Sequence, residues 1–138
     1  MVQVVLDTTT VSALMRGDER TVARLRRLAR QEVALPQPVL AEIAYGLARL
    51  PRSRRRDDLQ RRFERIRDEL PRLPWTDEVS ARFGDLKAAM EKKGQRVDDF
   101  DLAVAAHALA AGATLATSNL RHFARLPGLA VEDWSAPG

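Results

Sequence analysis

The chain has 138 residues, with 23 Lys+Arg against 19 Asp+Glu, two histidines, no cysteine and 45% hydrophobic residues. That length is one ordinary domain, expected over residues 1–138, and it excludes a separate cofactor lobe. The missing cysteines exclude disulfide frameworks, zinc fingers and thiol nucleophiles, and two histidines leave little material for His-rich metal sites or a Ser-His-Asp scheme.

No apolar run nears the roughly 20 residues of a membrane span, and the amino terminus lacks a signal-peptide layout, so a cytoplasmic protein without membrane contact is expected. Val2, Val4, Val5 and Leu6 form a β-branched apolar run that ends at Asp7, which predicts a strand buried on both faces and hence a parallel sheet. Helical spacing follows over residues 10–15 and again over 20–31, where Val22, Leu25 and Leu28 share a stripe. Val33 to Leu35 is a minimal strand, and residues 38–50 form a helix with Val39, Leu40, Ile43, Leu47 and Leu50 on one face. Pro51 ends that helix. Residues 52–70 carry a polar helix striped by Leu59, Phe63, Ile66 and Leu70, and Leu73-Pro74-Trp75 is weakly extended.

A helix from Thr76-Asp77-Glu78 to about Lys93 closes at Gly94, and residues 97–111 form a helix so apolar that it belongs in the interior. Residues 113–117 are a strand, 120–125 a helical turn, and 129–131 a last edge strand. Alternating strands and helices predict an α/β fold, a three-layer α/β/α sandwich around a twisted, mostly parallel sheet. In such folds the working site lies beyond the carboxyl ends of the strands, which directs attention to Asp7 and to Ser118-Asn119.

Asp7 stands at a strand-to-helix turn, where aspartate commonly caps the helix; Thr8, Thr9 and Thr10 are alternative caps, which would release the carboxylate for other work. Glu42 lies near the edge of an apolar stripe, with Gly46 leaving open space one turn later; by position alone it reads as a surface glutamate. Asp101 is the most informative residue. It opens an apolar helix together with Asp98 and Asp99, and Ala105 and Ala108 on its own side predict a cavity. Three acids in four positions exceed what capping and the helix dipole require, so a bound cation is favoured. His107 falls on the opposite side of that helix and reads as a core or interface histidine, His122 as a surface residue with a place near a phosphate as the alternative, and Trp75 and Trp134 as packing anchors.

Asp7, Glu42 and Asp101, with Asp98 or Asp99 and with Asn119, offer oxygen ligands only, which suits Mg²⁺ or Mn²⁺ and suits Zn²⁺ poorly. Ten of the twenty arginines fall between Arg49 and Arg72 beside five acids, a local surplus of five positive charges in a chain whose net charge is +4. Such a stretch is either the footprint of a phosphate-rich partner or a solvated helix face. Clustered carboxylates that orient and acidify a water through a metal, next to a basic surface, point to a nuclease.

Four blocks also resemble a known family: Val4-Val5-Leu6-Asp7-Thr8-Thr9, Leu40-Ala41-Glu42-Ile43-Ala44-Tyr45-Gly46-Leu47, Asp101-Leu102-Ala103-Val104-Ala105-Ala106, and Ala113 to Phe123 with its Thr117-Ser118-Asn119. In this order and spacing they resemble the PIN-domain ribonucleases, in particular the VapC toxins of bacterial toxin–antitoxin pairs, over essentially the whole chain. The resemblance implies a PIN-like sandwich and an Mg²⁺-dependent endoribonuclease that cleaves structured RNA such as tRNA or rRNA. It places the family's acids on Asp7, Glu42 and Asp101 and its fourth position on Asn119, where many members have Asp. Asp7 and Asp101 are then the main metal ligands and Glu42 positions or deprotonates the attacking water. Thr9, where Asn or Ser is usual, orients the phosphate and water shell with Asn119, and Ser118 and Arg121 are candidate phosphate contacts. The implied partners are RNA, a VapB-like antitoxin that covers the acidic pocket and lies on the apolar positions of residues 38–50 and 59–70, and a second copy of the chain. The competing readings are a non-catalytic RNA-binding module of the same fold, and a metal-dependent DNA nuclease or phosphatase.

Overall fold

The computed structural model describes residues 1–137. β1 (Val4–Leu6) is buried along its length and turns at Asp7 into α1 (Thr8–Met15). α2 (Glu19–Arg26) and a 3-10 turn (Arg30–Glu32) lead to β2 (Val33–Pro36), also wholly buried. α3 (Gln37–Ala48) and α4 (Arg54–Glu69) precede β3 (Arg72–Leu73). α5 (Asp77–Lys92) and α6 (Asp99–Ala111) lead to β4 (Thr114–Ala116), and α7 (Leu120–Ala124) to β5 (Val131–Glu132).

The five strands are all parallel, in the order β3-β2-β1-β4-β5. With right-handed crossovers the sheet is wound one way from β1 to β3 and the other way from β4 to β5, so helices cover both faces. This is the expected α/β/α sandwich. The strand order reverses between β1 and β4, and that switch point opens a crevice beyond their carboxyl ends. Val5, Leu6, Val33, Ala34, Leu35, Leu115 and Ala116 are fully buried in the centre of the sheet.

Side chains set the helix starts. Asp18, Ser53, Thr76 and Asp98 accept from the backbone N–H of Thr21, Arg56, Val79 and Phe100, respectively, and Gly112, at φ 63°, closes α6 in the left-handed conformation. Most boundaries shift by a residue or two from the sequence expectation, and three of the shifts have a clear local cause. The helix expected over 20–31 stops at Arg26, because the amides of Arg27 and Leu28 bond to carbonyls three residues back and tighten the turn. α6 begins at Asp99 rather than at residue 97, since Asp98 is its cap. The last strand lies at Val131–Glu132 and not at 129–131, because Leu129 closes a turn onto the Leu126 carbonyl.

α6 is buried as expected, and so are His107 and Trp134. Trp75 is 47% exposed; its indole packs on Phe83 and on the edge of His107 and donates to Ser80 Oγ at 2.6 Å. His107 Nδ1 meets the Ala103 carbonyl at 2.7 Å, and burial lowers its pKa. Among the described residues no helix is long and apolar enough to cross a membrane.

Candidate active site

Beyond the switch point lies a cavity of about 210 Å³ whose walls are Asp7, Thr8, Thr9, Glu42, Asp101, Val104, Asn119 and Phe123. Six parts of the fold contribute to it: the end of β1, α1, α3, α6, the β4–α7 turn and α7. A larger groove, about 540 Å³ between α5 and the start of α6, takes in Asp98 and Asp99 but none of the other acids expected in the site.

Asp7 is only 3% exposed and, contrary to expectation, is itself the cap of α1. Its Oδ1 accepts from Thr10 N at 2.9 Å and from Thr9 Oγ1 at 2.7 Å. Oδ2 takes neither bond and remains for the cavity. A carboxylate serves as cap better than the threonines because Thr9 and Thr10 are needed to tie the turn down: Thr10 Oγ1 donates to the Ala116 carbonyl at 2.7 Å, and Thr9 Oγ1 accepts from Ser118 N at 2.9 Å. The two strand ends are thereby stitched together across the switch point.

Glu42 reaches the cavity from α3 and accepts a 2.6 Å bond from Thr8 Oγ1 at Oε1. Burial pushes its carboxyl above the ordinary carboxylate range; the Thr8 bond opposes this, and the charges of Asp101, Asp98 and Asp7 reinforce it. Asp101 is also raised, first by burial and then by Asp98 and Asp7, against the bond that it receives from His122. Two acids with raised pKa values in one crevice mark a place where negative charge is crowded.

The neighbours expected to hollow out the site are not the ones that do. Ala105 and Ala108 are fully buried in the core, and Val104 forms the wall next to Asp101. Asp98 caps α6, Asp99 pairs with Lys87 at 3.1 Å, and neither lines the cavity. Asn119 does line it, with its side chain free of capping duty, whereas Ser118 touches the site only through its backbone amide and the exposed Arg121 does not line it.

The donor set is one of oxygens alone. Among the described residues no three acids or histidines stand together as a preformed metal cage. Mg²⁺ does not require one, since it keeps several waters and is usually held by one or two carboxylates and substrate phosphate. Asp7 and Asp101, each with one oxygen uncommitted, fit that demand.

The PIN domain family matches residues 4–129. The chain belongs to the PIN domain family. Within it, this PIN domain is 31% identical to ribonuclease VapC2 of Rickettsia felis over 102 residues, 74% of each chain. It is 26% identical to the tRNA(fMet)-specific endonuclease VapC of Salmonella typhimurium over 134 residues, 97% of this chain and 99% of that one. Among solved structures, VapBC2 of Rickettsia felis bound to a promoter DNA fragment superposes with a TM-score of 0.86 at 28% identity, covering 97% of this chain and 99% of the other. DNA-bound VapBC of Salmonella typhimurium gives 0.87 at 27% identity, with the same coverage.

The PIN site holds two groups that sequence reasoning missed. Thr8 was visible only as one of three threonines, and its bond to Glu42 spans 34 positions. His122, read as a surface residue, instead bonds Asp101 Oδ2 through Nε2 at 2.8 Å. The available signal was the spacing of His122 and Arg125, three apart and so on one side of a helical turn.

Proposed function

We propose that the protein is a Mg²⁺-dependent endoribonuclease, the toxin of a type II toxin–antitoxin pair, which hydrolyses phosphodiesters in structured RNA such as tRNA or rRNA. The observation that carries this reading is the convergence of Asp7, Glu42 and Asp101 on one small cavity at the sheet's switch point. The ribonuclease and endonuclease names of the similar proteins support it.

Mg²⁺ or Mn²⁺, when bound, orients and acidifies a water and neutralises charge that builds up on the phosphate. Asp7 Oδ2 and Asp101 Oδ1 are the oxygens left to hold it. Glu42 takes the proton of the attacking water at Oε2, because Thr8 occupies Oε1; a carboxyl with a raised pKa is a better base for this than an ordinary one. Asn119 faces the same cavity and can donate from its amide to a phosphate oxygen while accepting from a water at its carbonyl. Thr9 is committed to Asp7 and to Ser118 N, so it holds the geometry of the pocket rather than the substrate.

The partner reading has its own support. A groove of about 240 Å³ between α1, α3 and α4 is lined by Met15, Ile43, Leu47, Leu50 and Leu59 and opens onto Glu42. An antitoxin segment lying there reaches the acids directly, and the similar structures are VapBC complexes. The toxin acts in the cytoplasm, where its RNA is, and pairs with a second copy of itself. The test is incubation of the purified protein with total RNA and with duplex DNA, in Mg²⁺ and in EDTA. Cleavage of RNA only, and only with Mg²⁺, is expected; RNA binding without cleavage, or cleavage of DNA alone, contradicts it.

A further inference from the structure

Asp101 is gripped at one oxygen, and the grip continues outward through two more residues. Its Oδ2 meets His122 Nε2 at 2.8 Å, and His122 Nδ1 meets an Arg125 terminal nitrogen at 2.9 Å. A guanidinium carries only donors, so Nδ1 must offer its lone pair, and the ring proton sits on Nε2, aimed at the carboxylate. Arg125 is itself fixed. Its Nε donates to the His122 carbonyl at 3.0 Å, and its other terminal nitrogen donates to Gln95 Oε1 at 3.1 Å. One side chain thus joins the end of α7 to the segment that leads into α6. The His122 ring also stands edge-on to Phe123, 5.0 Å between centroids, and Phe123 is a wall of the cavity.

With both ring nitrogens engaged, no lone pair of His122 faces the cavity, so the ring has no proton-transfer role there. Its effect passes through Asp101. A carboxylate without this grip rotates freely about its last bond and presents either oxygen; the His122 bond commits Oδ2 and leaves Oδ1 as the oxygen available to a cation. We propose that His122, locked as the Nε2–H tautomer by Arg125, is a positioning residue that orients the Asp101 carboxylate for a divalent cation. This rests on the reading of Asp101 as a metal ligand. Partners that orient a ligating carboxylate in this way typically change metal affinity by about 10- to 100-fold.

The test is a calorimetric Mn²⁺ titration of the full chain and its variants. His122→Ala weakens the Kd by at least tenfold, while the fold, followed by thermal unfolding, persists. His122→Gln, whose amide nitrogen falls near the position of Nε2, recovers most of the affinity; His122→Asn, whose amide ends near Nδ1, does not. Nitrogen NMR of the imidazole reads the tautomer without any metal: pure Nε2–H in the wild type and a mixture in Arg125→Leu. An Asp101→Ala control that loses Mn²⁺ binding, beside a His122→Ala variant that binds like the wild type, overturns the positioning role and leaves the metal reading intact. Unchanged binding in Asp101→Ala overturns both, and a mixed tautomer in the wild type overturns the lock.

Discussion

Asp7 divides two tasks between two oxygens: Oδ1 caps α1, and Oδ2 stays with the cavity. Asparagine caps as well as aspartate does, so the two tasks separate by mutation. Asp7→Asn melts at or above the wild-type temperature and loses RNA cleavage, whereas Asp7→Ala loses cleavage and also about 1 kcal/mol of stability, the usual cost of a lost cap. Thermal unfolding and a cleavage assay, run on the same preparations, check both. Glu42 makes the opposite kind of prediction. Its pKa is raised in the folded chain, so its stabilising share is full below the unfolded value and is lost as pH rises through the folded one. At neutral pH the ionised carboxylate therefore opposes folding. Glu42→Gln keeps the oxygen that accepts from Thr8 and removes that charge, so without divalent cations it raises Tm at pH 7 by roughly 1–4 °C and does so far less at pH 4. An unchanged or lowered Tm at pH 7 contradicts the crowding of charge in the pocket. Asp7 and Asp101 were legible from sequence because one ends a strand and the other opens an apolar helix, whereas Glu42, a surface glutamate by position, was singled out by the family resemblance alone. His122 was not, since its partner lies 21 residues earlier and its spacing from Arg125 is the one local hint that it carries.

Among the elements, α3 serves both the site and the neighbouring groove. Glu42 points into the cavity, while Ile43, Gly46 and Leu47 line the groove shared with α1 and α4. Gly46 meets nothing within 4 Å where a Cβ would stand, and no backbone strain requires glycine there. Gly46→Ala is therefore expected to stabilise α3 by about 0.5–1 kcal/mol through helix propensity alone. Gly46→Leu keeps RNA cleavage and projects into the groove, lowering antitoxin affinity at least tenfold in a direct binding titration. Wild-type affinity in that variant contradicts an antitoxin seated there. The order and type of the elements were legible because the apolar runs are short and strongly periodic. The boundaries that moved furthest are set by local backbone and capping bonds: Asp98 at the start of α6, the tightened turn after Arg26 and the Leu129 turn before β5. The hollow was assigned to Ala105 and Ala108, but small residues in a buried helix let it pack close to its neighbours, and both are fully buried.

At the scale of the whole molecule, the arginine surplus between Arg49 and Arg72 turns out to be divided. Arg62 donates to the Met15 carbonyl, Arg56 to that of Leu50 and Arg72 to that of Arg67, while Arg61 pairs with Asp58 and Arg67 with Asp68. These side chains hold α4 and its ends in place. Arg52, Arg54 and Arg65 make no such bond among the described residues and remain for a phosphate-rich partner. Neutralising these three together in the Asp101→Asn background should make the log–log salt slope of RNA binding shallower by about 2, at roughly 0.7 per phosphate contact with single strands. An unchanged slope assigns the stretch to protein contacts alone. Charge along the sequence shows where cations concentrate, but only the fold shows which of them are already engaged. The same applies to the acids. Asp98, Asp99 and Asp101 stand together in sequence, yet one caps, one pairs with Lys87, and only Asp101 joins Asp7 and Glu42 in the cavity. The most direct test of that convergence is the rate at which wild-type protein and Asp101→Asn cleave RNA in Mg²⁺ and in EDTA, with folding verified by thermal unfolding. The wild type should cleave only in Mg²⁺, and the folded variant should be slower by at least about 100-fold, the scale of losing electrostatic stabilisation in a transition state. Equal cleavage by the folded variant, or wild-type cleavage that survives EDTA, contradicts a metal-centred nuclease at Asp7, Glu42 and Asp101.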